Sequence, residues 1–81
     1  MTKKKMIETI QQTEAAAWLE LRKCILYFGR EANATLRSRR EWCSIQTLMD
    51  KLGIKTDYTL ADNLEARDVN ERIKNKEEKV M

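Results

Sequence analysis

Apolar residues in the first third of the chain recur at alternating three- and four-residue steps: Ile7, Ile10, Ala17, Leu21, Cys24 and Phe28. That spacing is the seam of an α-helix lying against a partner, and it predicts a helix from about Thr2 to Phe28. Glu14 interrupts the seam. Trp18, Ile25 and Leu26 widen the apolar face toward the C-terminal half, so more than one neighbour is expected. Gly29 supplies the stop, because glycine enters the left-handed region without penalty.

The same steps return at Thr35, Ser38, Trp42, Ile45, Met49 and Leu52, predicting a second helix from about Ala32 to Leu52. Its end is written in Leu52-Gly53-Ile54, a glycine beyond the last turn followed by an apolar residue, as in a Schellman stop. The linker KTDYT (55–59) leads to a third helix beginning near Leu60, with Thr59 and Asp62 as a capping box. This helix is largely charged, and its apolar residues Leu60, Leu64, Val69, Ile73 and Val80 are thinly spread.

Short connections make sequential helices antiparallel, so residues 1–54 are expected to form a helical hairpin, with residues 60–81 as a charged C-terminal helix. Trp18 then lies level with Trp42, Ile10 faces Leu52, and Leu21 and Cys24 meet the small Ser38. The expectation is one all-α domain spanning residues 1–81. Leu19, Leu26, Tyr27 and Leu48 exceed what one hairpin can cover, which points to a homo-oligomer.

Composition supports a helical reading. The chain has two glycines and no proline, too little turn chemistry for a sheet protein. The net charge of +3 is uneven, with the first two thirds basic and the remainder slightly acidic. The imbalance is too mild to require a nucleic acid. The start MTKKKMIETIQQ has no apolar run of the signal-peptide kind, and no window suits a membrane span, so a cytoplasmic protein is expected. Cys24 and Cys43 are isolated and read as semi-buried free thiols.

No catalytic constellation is evident. Histidine, the commonest general base, is absent, and both glycines sit at helix ends instead of in a phosphate loop. The carboxylates read as solvent-facing. The expectation is a non-enzyme with no metal or cofactor.

The candidate binding chemistry lies in TLRSRREWCS (35–44). Arginine forks grip phosphates and an indole stacks on a nucleobase, so Arg37, Arg40 and Trp42 are candidate ligand residues. Trp18, Arg22, Lys23 and Arg30 lie near the same end of the hairpin and join them. A helix turns 100° per residue, so Arg37 and Arg40 share a face while Arg39 points away. The plainer alternative is a solvated basic face, with Arg37 paired to Glu41 one turn on and both tryptophans in the core.

The TKKKMIETIQQTEAAAW start, the FGREA turn and the REWCSIQTLMDKLGI segment resemble a class of small helical proteins encoded by phages and prophages of Gram-positive bacteria. Some short phage-encoded helical proteins assemble into compact oligomers that sequester the cyclic nucleotide signals of bacterial immunity. The resemblance implies an accessory protein that binds an anionic nucleotide. Two other readings remain open: a module docking a host or phage protein through Leu64, Val69 and Ile73, and a DNA-binding helical protein.

Overall fold

The computed structural model describes residues 2–80. They form α1 (Lys3–Phe28), α2 (Asn33–Leu52), the one-turn α3 (Tyr58–Ala61) and α4 (Leu64–Val80), with no strand among the described residues. Thr2 caps α1, its Oγ1 accepting from the Lys5 amide at 3.2 Å. Gly29 closes α1, its N–H donating to the Ile25 carbonyl at 3.0 Å. Its φ of 90° and ψ of 164° combine a positive φ with an extended ψ, a glycine region distinct from the left-handed helical one the sequence suggested. The hydroxyl of Thr35, which has no exposed surface, donates to the Gly29 carbonyl at 2.7 Å and ties α2 to the end of α1.

The second stop is the one the sequence spells out. Gly53 is left-handed, with φ of 70°, and the Ile54 N–H reaches back to the Met49 carbonyl at 2.9 Å.

Beyond residue 54 the structure corrects the sequence reading. The single third helix from Leu60 is two pieces, and Thr59 caps neither. Asp57 accepts from the amides of Thr59 and Leu60 at 2.9 and 3.3 Å and starts α3. Asn63 accepts from the Ala66 amide at 2.8 Å and starts α4. Short Asp and Asn side chains reach backbone N–H groups more readily than a threonine–aspartate box closes, so two such caps six residues apart break the run. Asp62 binds Arg67 instead, at 2.9 Å.

α1 is the central element, against which α2, α3 and α4 each pack. Leu21 and Ile25 of α1 form a buried cluster with Val69 and Ile73 of α4, surrounded by Trp18, Leu19, Leu26 and Trp42. The apolar stripe of α4 is therefore spent on its own chain. Val69 and Ile73, read from sequence as partner-binding, are 5% and 3% exposed, and only Leu64 stays outside at 82%. Leu19 and Leu26, counted as surplus, pack against the same cluster. Polar ties frame it. Lys23 pairs with Glu65 at 2.6 Å, Arg30 with Glu77 at 2.7 Å, and Lys76 donates to the Leu26 carbonyl at 2.9 Å.

α1 also carries α2, and beyond the end of α2 Gln11 donates to the Lys55 carbonyl at 3.0 Å. The Cα extents are 48 × 25 × 16 Å, too thin for a further layer over both sides of the α1–α2 pair. No helix among the described residues is long and apolar enough to cross a membrane.

Candidate functional site

Trp18 of α1 and Trp42 of α2 meet at the expected level, ring centroids 5.1 Å apart and planes tilted by 46°. Tilted and offset rings place positive edge against negative face, the favourable arrangement for two indoles. One turn along α1 from Trp18, the Arg22 guanidinium carbon lies 5.2 Å from the Trp18 ring centre. Trp18 is thus covered by both Trp42 and Arg22. Arg22 also donates from Nε to Asn70 Oδ1 of α4. Its burial lowers its pKa, the neighbouring Arg30 adds to the shift, and Glu77 opposes it.

Glu14 corrects the expectation that every carboxylate faces solvent. It is 1% exposed, and its Oε1 accepts from Trp42 Nε1 at 2.9 Å and from Gln46 Nε2 at 2.6 Å. The interruption that it makes in the α1 seam is therefore a polar contact inside the α1–α2 junction. Its Oε2 is buried without a hydrogen-bond partner among the described residues. Gln46 Nε2 also reaches Thr56 Oγ1 at 3.3 Å. With its nitrogen committed to Glu14 and Thr56, the Gln46 amide has a fixed orientation, and its carbonyl oxygen is left to accept elsewhere.

Above this junction opens a groove of about 570 Å³, lined by Trp18, Trp42, Gln46, Thr56, Tyr58 and Asn70. Asp62 also reaches it, and the hydrogen bond and charge of Arg67 hold the Asp62 carboxyl below the usual carboxylate range. The groove is mixed in character: indole and phenol surface, several amide and hydroxyl groups, and a carboxylate already matched by a guanidinium. An apolar cleft with a few convergent polar groups is the usual form of a small-ligand site.

The candidates named from sequence separate into three groups. Trp18 and Trp42 meet at the groove, and Arg22 lies over Trp18 but lines an adjoining cleft with Arg30 and Asn70. Lys23 and Arg30 face α4, where Glu65 and Glu77 engage them, and Glu65 raises the Lys23 pKa. Arg37 and Arg40 are exposed on α2 and do not line the groove. Arg37 lines a different, shallow cleft of about 220 Å³ with Glu20, Cys24, Phe28 and Glu41. The single basic-aromatic cluster breaks up because carboxylates of α4 take two of its cations and helical rotation carries two more away.

Gln46, Thr56, Tyr58 and Asn70 are site residues that sequence reasoning missed. They gather only when the 55–63 segment folds back over α1, and none carries a local signature. Glu14 did leave a signal, a charge at a seam position. The thiols differ from expectation as well: Cys24 is buried, but Cys43 is exposed. Among the described residues no group of three or more acidic or cysteine side chains is placed to hold a metal ion. No family model, no curated protein and no solved structure matches the chain.

Proposed function

We propose that the protein acts by binding and without catalysis, as a phage or mobile-element accessory protein in the cytoplasm of a bacterial host, and that its ligand is of nucleotide type. The observation that carries this reading is the Trp18–Trp42 pair opening on one groove with Arg22 at the edge of the tryptophans. A planar heteroaromatic ring would lie against Trp42 and the exposed Tyr58, since Arg22 already occupies Trp18. The Gln46 carbonyl would accept from a ring N–H, and the anionic group would extend past Asn70 toward Arg22 in the adjoining cleft. In this reading Arg37 and Arg40 are not ligand residues, and docking through Val69 and Ile73 is disfavoured by their burial.

The reading includes an antiparallel α1–α2 hairpin as its scaffold and a homo-oligomer as its working form. Large apolar side chains left open on both helices support self-association.

Thermal shift and tryptophan fluorescence with cyclic and linear nucleotides test the ligand. Binding to the folded state alone must raise stability, and a ring against Trp42 should change indole emission. A nucleotide that raises Tm for the wild-type protein, and does so less for Tyr58→Ala, supports the proposal. No stabilisation by any nucleotide at millimolar concentration counts against it.

A further inference from the structure

α2 carries two seams. Thr35, Ser38, Trp42 and Met49 turn toward α1 and the groove. One residue out of phase, Ala34, Arg37, Glu41, Ile45, Leu48 and Leu52 follow the same three- and four-residue steps and therefore form a second stripe on one side of the helix. Leu48 and Leu52 are 50% and 57% exposed on this stripe. On α1, Met6 and Phe28 are open at 51% and 64%. Glu20, Cys24 and Phe28 share a cleft with Ala34, Arg37 and Glu41, which places this part of α1 beside the second stripe of α2. The groove with Trp18 and Trp42, by contrast, lies on the side that α3 and α4 cover.

This open face has an internal order. Its apolar part, Ile45, Leu48 and Leu52, occupies the C-terminal half of α2, and its charged part, Arg37 and Glu41 with Glu20, lies toward the turn. None of these three charged residues has an ion-pair partner within 4.0 Å among the described residues. An arrangement that set the two halves of the face against each other would put leucines on carboxylates, which is costly because the charges lose water without gaining partners. A parallel arrangement puts leucine on leucine. It also brings Arg37 of one copy within about 6 Å along the axis of Glu41 in the other, twice over by symmetry.

We infer that this α1–α2 face is the docking surface for a second copy of the chain, set side by side in parallel about a two-fold axis that runs along the helices. Leu48 and Leu52 pack on their counterparts, and Arg37 pairs with the carboxylate of Glu41 across the axis. The inference rests on the homo-oligomer reading and gives that reading its surface, orientation and charge pairing.

Light scattering on the full chain, with helical content by circular dichroism as the folding control, tests both levels. The wild-type protein should show twice the single-chain 9.6 kDa or an even multiple of it. Leu48→Glu should lower that mass toward one chain with helicity retained, because Leu48 is already half exposed within the chain. Arg37→Glu should weaken association by about ten-fold, the effect of losing two symmetry-related charge pairs worth about 1.4 kcal/mol together, and adding Glu41→Arg should restore it. In a Cys43→Ser background, Leu48→Cys should cross-link to itself under mild oxidation, while Asp50→Cys, two residues round the helix, should not.

A wild-type chain that stays at single mass would overturn the homo-oligomer reading itself. An oligomer whose mass Leu48→Glu leaves unchanged would overturn the surface while leaving that reading standing. Cross-linking of Asp50→Cys and not Leu48→Cys would likewise overturn the surface, and a Glu41→Arg change that fails to restore the association lost in Arg37→Glu would overturn the parallel orientation.

Discussion

Trp42 of α2 donates its indole N–H to Oε1 of Glu14 on α1 at 2.9 Å, inside a contact where Glu14 is almost wholly buried. A charge in such a place is costly unless its hydrogen bonds are made, and two donors converge on that single oxygen. Removing the acceptor strands both the indole and the Gln46 amide. Glu14→Ala should therefore destabilise the protein by about 2–4 kcal/mol. Glu14→Gln keeps an acceptor and removes the charge, and should cost less than about 1 kcal/mol. Urea denaturation midpoints at unchanged m-value would show this order, and equal losses for the two variants would contradict it.

The docking of α4 rests on a few side chains. Ile73 is 3% exposed within the cluster that joins α1 to α4. Ile73→Ala should cost about 2–4 kcal/mol through lost burial and the cavity left behind, and should make the α4 segment sensitive to limited proteolysis. Leu64→Ala, at the exposed first residue of α4, should change stability by no more than about 0.5 kcal/mol.

The two glycines should answer differently to substitution, although a side-chain carbon at either would meet nothing within 4 Å. Only the backbone then decides. Gly53 is left-handed, so Gly53→Asn should be nearly neutral and Gly53→Ala should cost about 1 kcal/mol. Gly29, with its extended ψ, lies outside the region that asparagine tolerates, so Gly29→Asn and Gly29→Ala should both cost about 1–3 kcal/mol. Thermal melts of the four variants would rank them.

Asp62 supplies a pH test of the α3–α4 corner. The hydrogen bond from Arg67 is the larger cause of its lowered pKa, and the Arg67 charge adds to it. A carboxyl depressed on folding stabilises above its unfolded pKa near 4, and that contribution disappears as the pH falls through the folded value. Carboxyl chemical shifts should show Asp62 titrating below the ordinary aspartate range in the wild-type protein, and moving back up in Arg67→Ala. An unchanged midpoint in the variant would exclude Arg67 as the cause.

Where the sequence was legible, the signal was local. The seams of α1 and α2 (except at Phe28 and Leu52, which the structure leaves 64% and 57% exposed), the glycine after each helix and the level of Trp18 with Trp42 all follow from residues within a few turns of one another or from one short connection. The C-terminal third was less legible. A charged run with a sparse apolar stripe fits a free helix as well as a docked one, and the competition between Asp57, Thr59 and Asn63 as caps leaves no periodic trace. The groove was the least legible part. Gln46 looks like any polar helical residue until Glu14 and Thr56 commit its amide nitrogen.

The sequence by itself determined an all-helical chain, its two glycine stops and the meeting of its tryptophans, because helical period and turn chemistry act over short distances. Only the tertiary structure decided that α4 spends Val69 and Ile73 on its own chain, that Glu14 is buried between α1 and α2, and that Arg22 alone of the basic candidates joins the tryptophans. Those outcomes depend on which face of α1 each neighbour takes. A one-dimensional pattern shows how much surface a helix must cover, but the identity of the cover comes from competition among elements far apart in the chain.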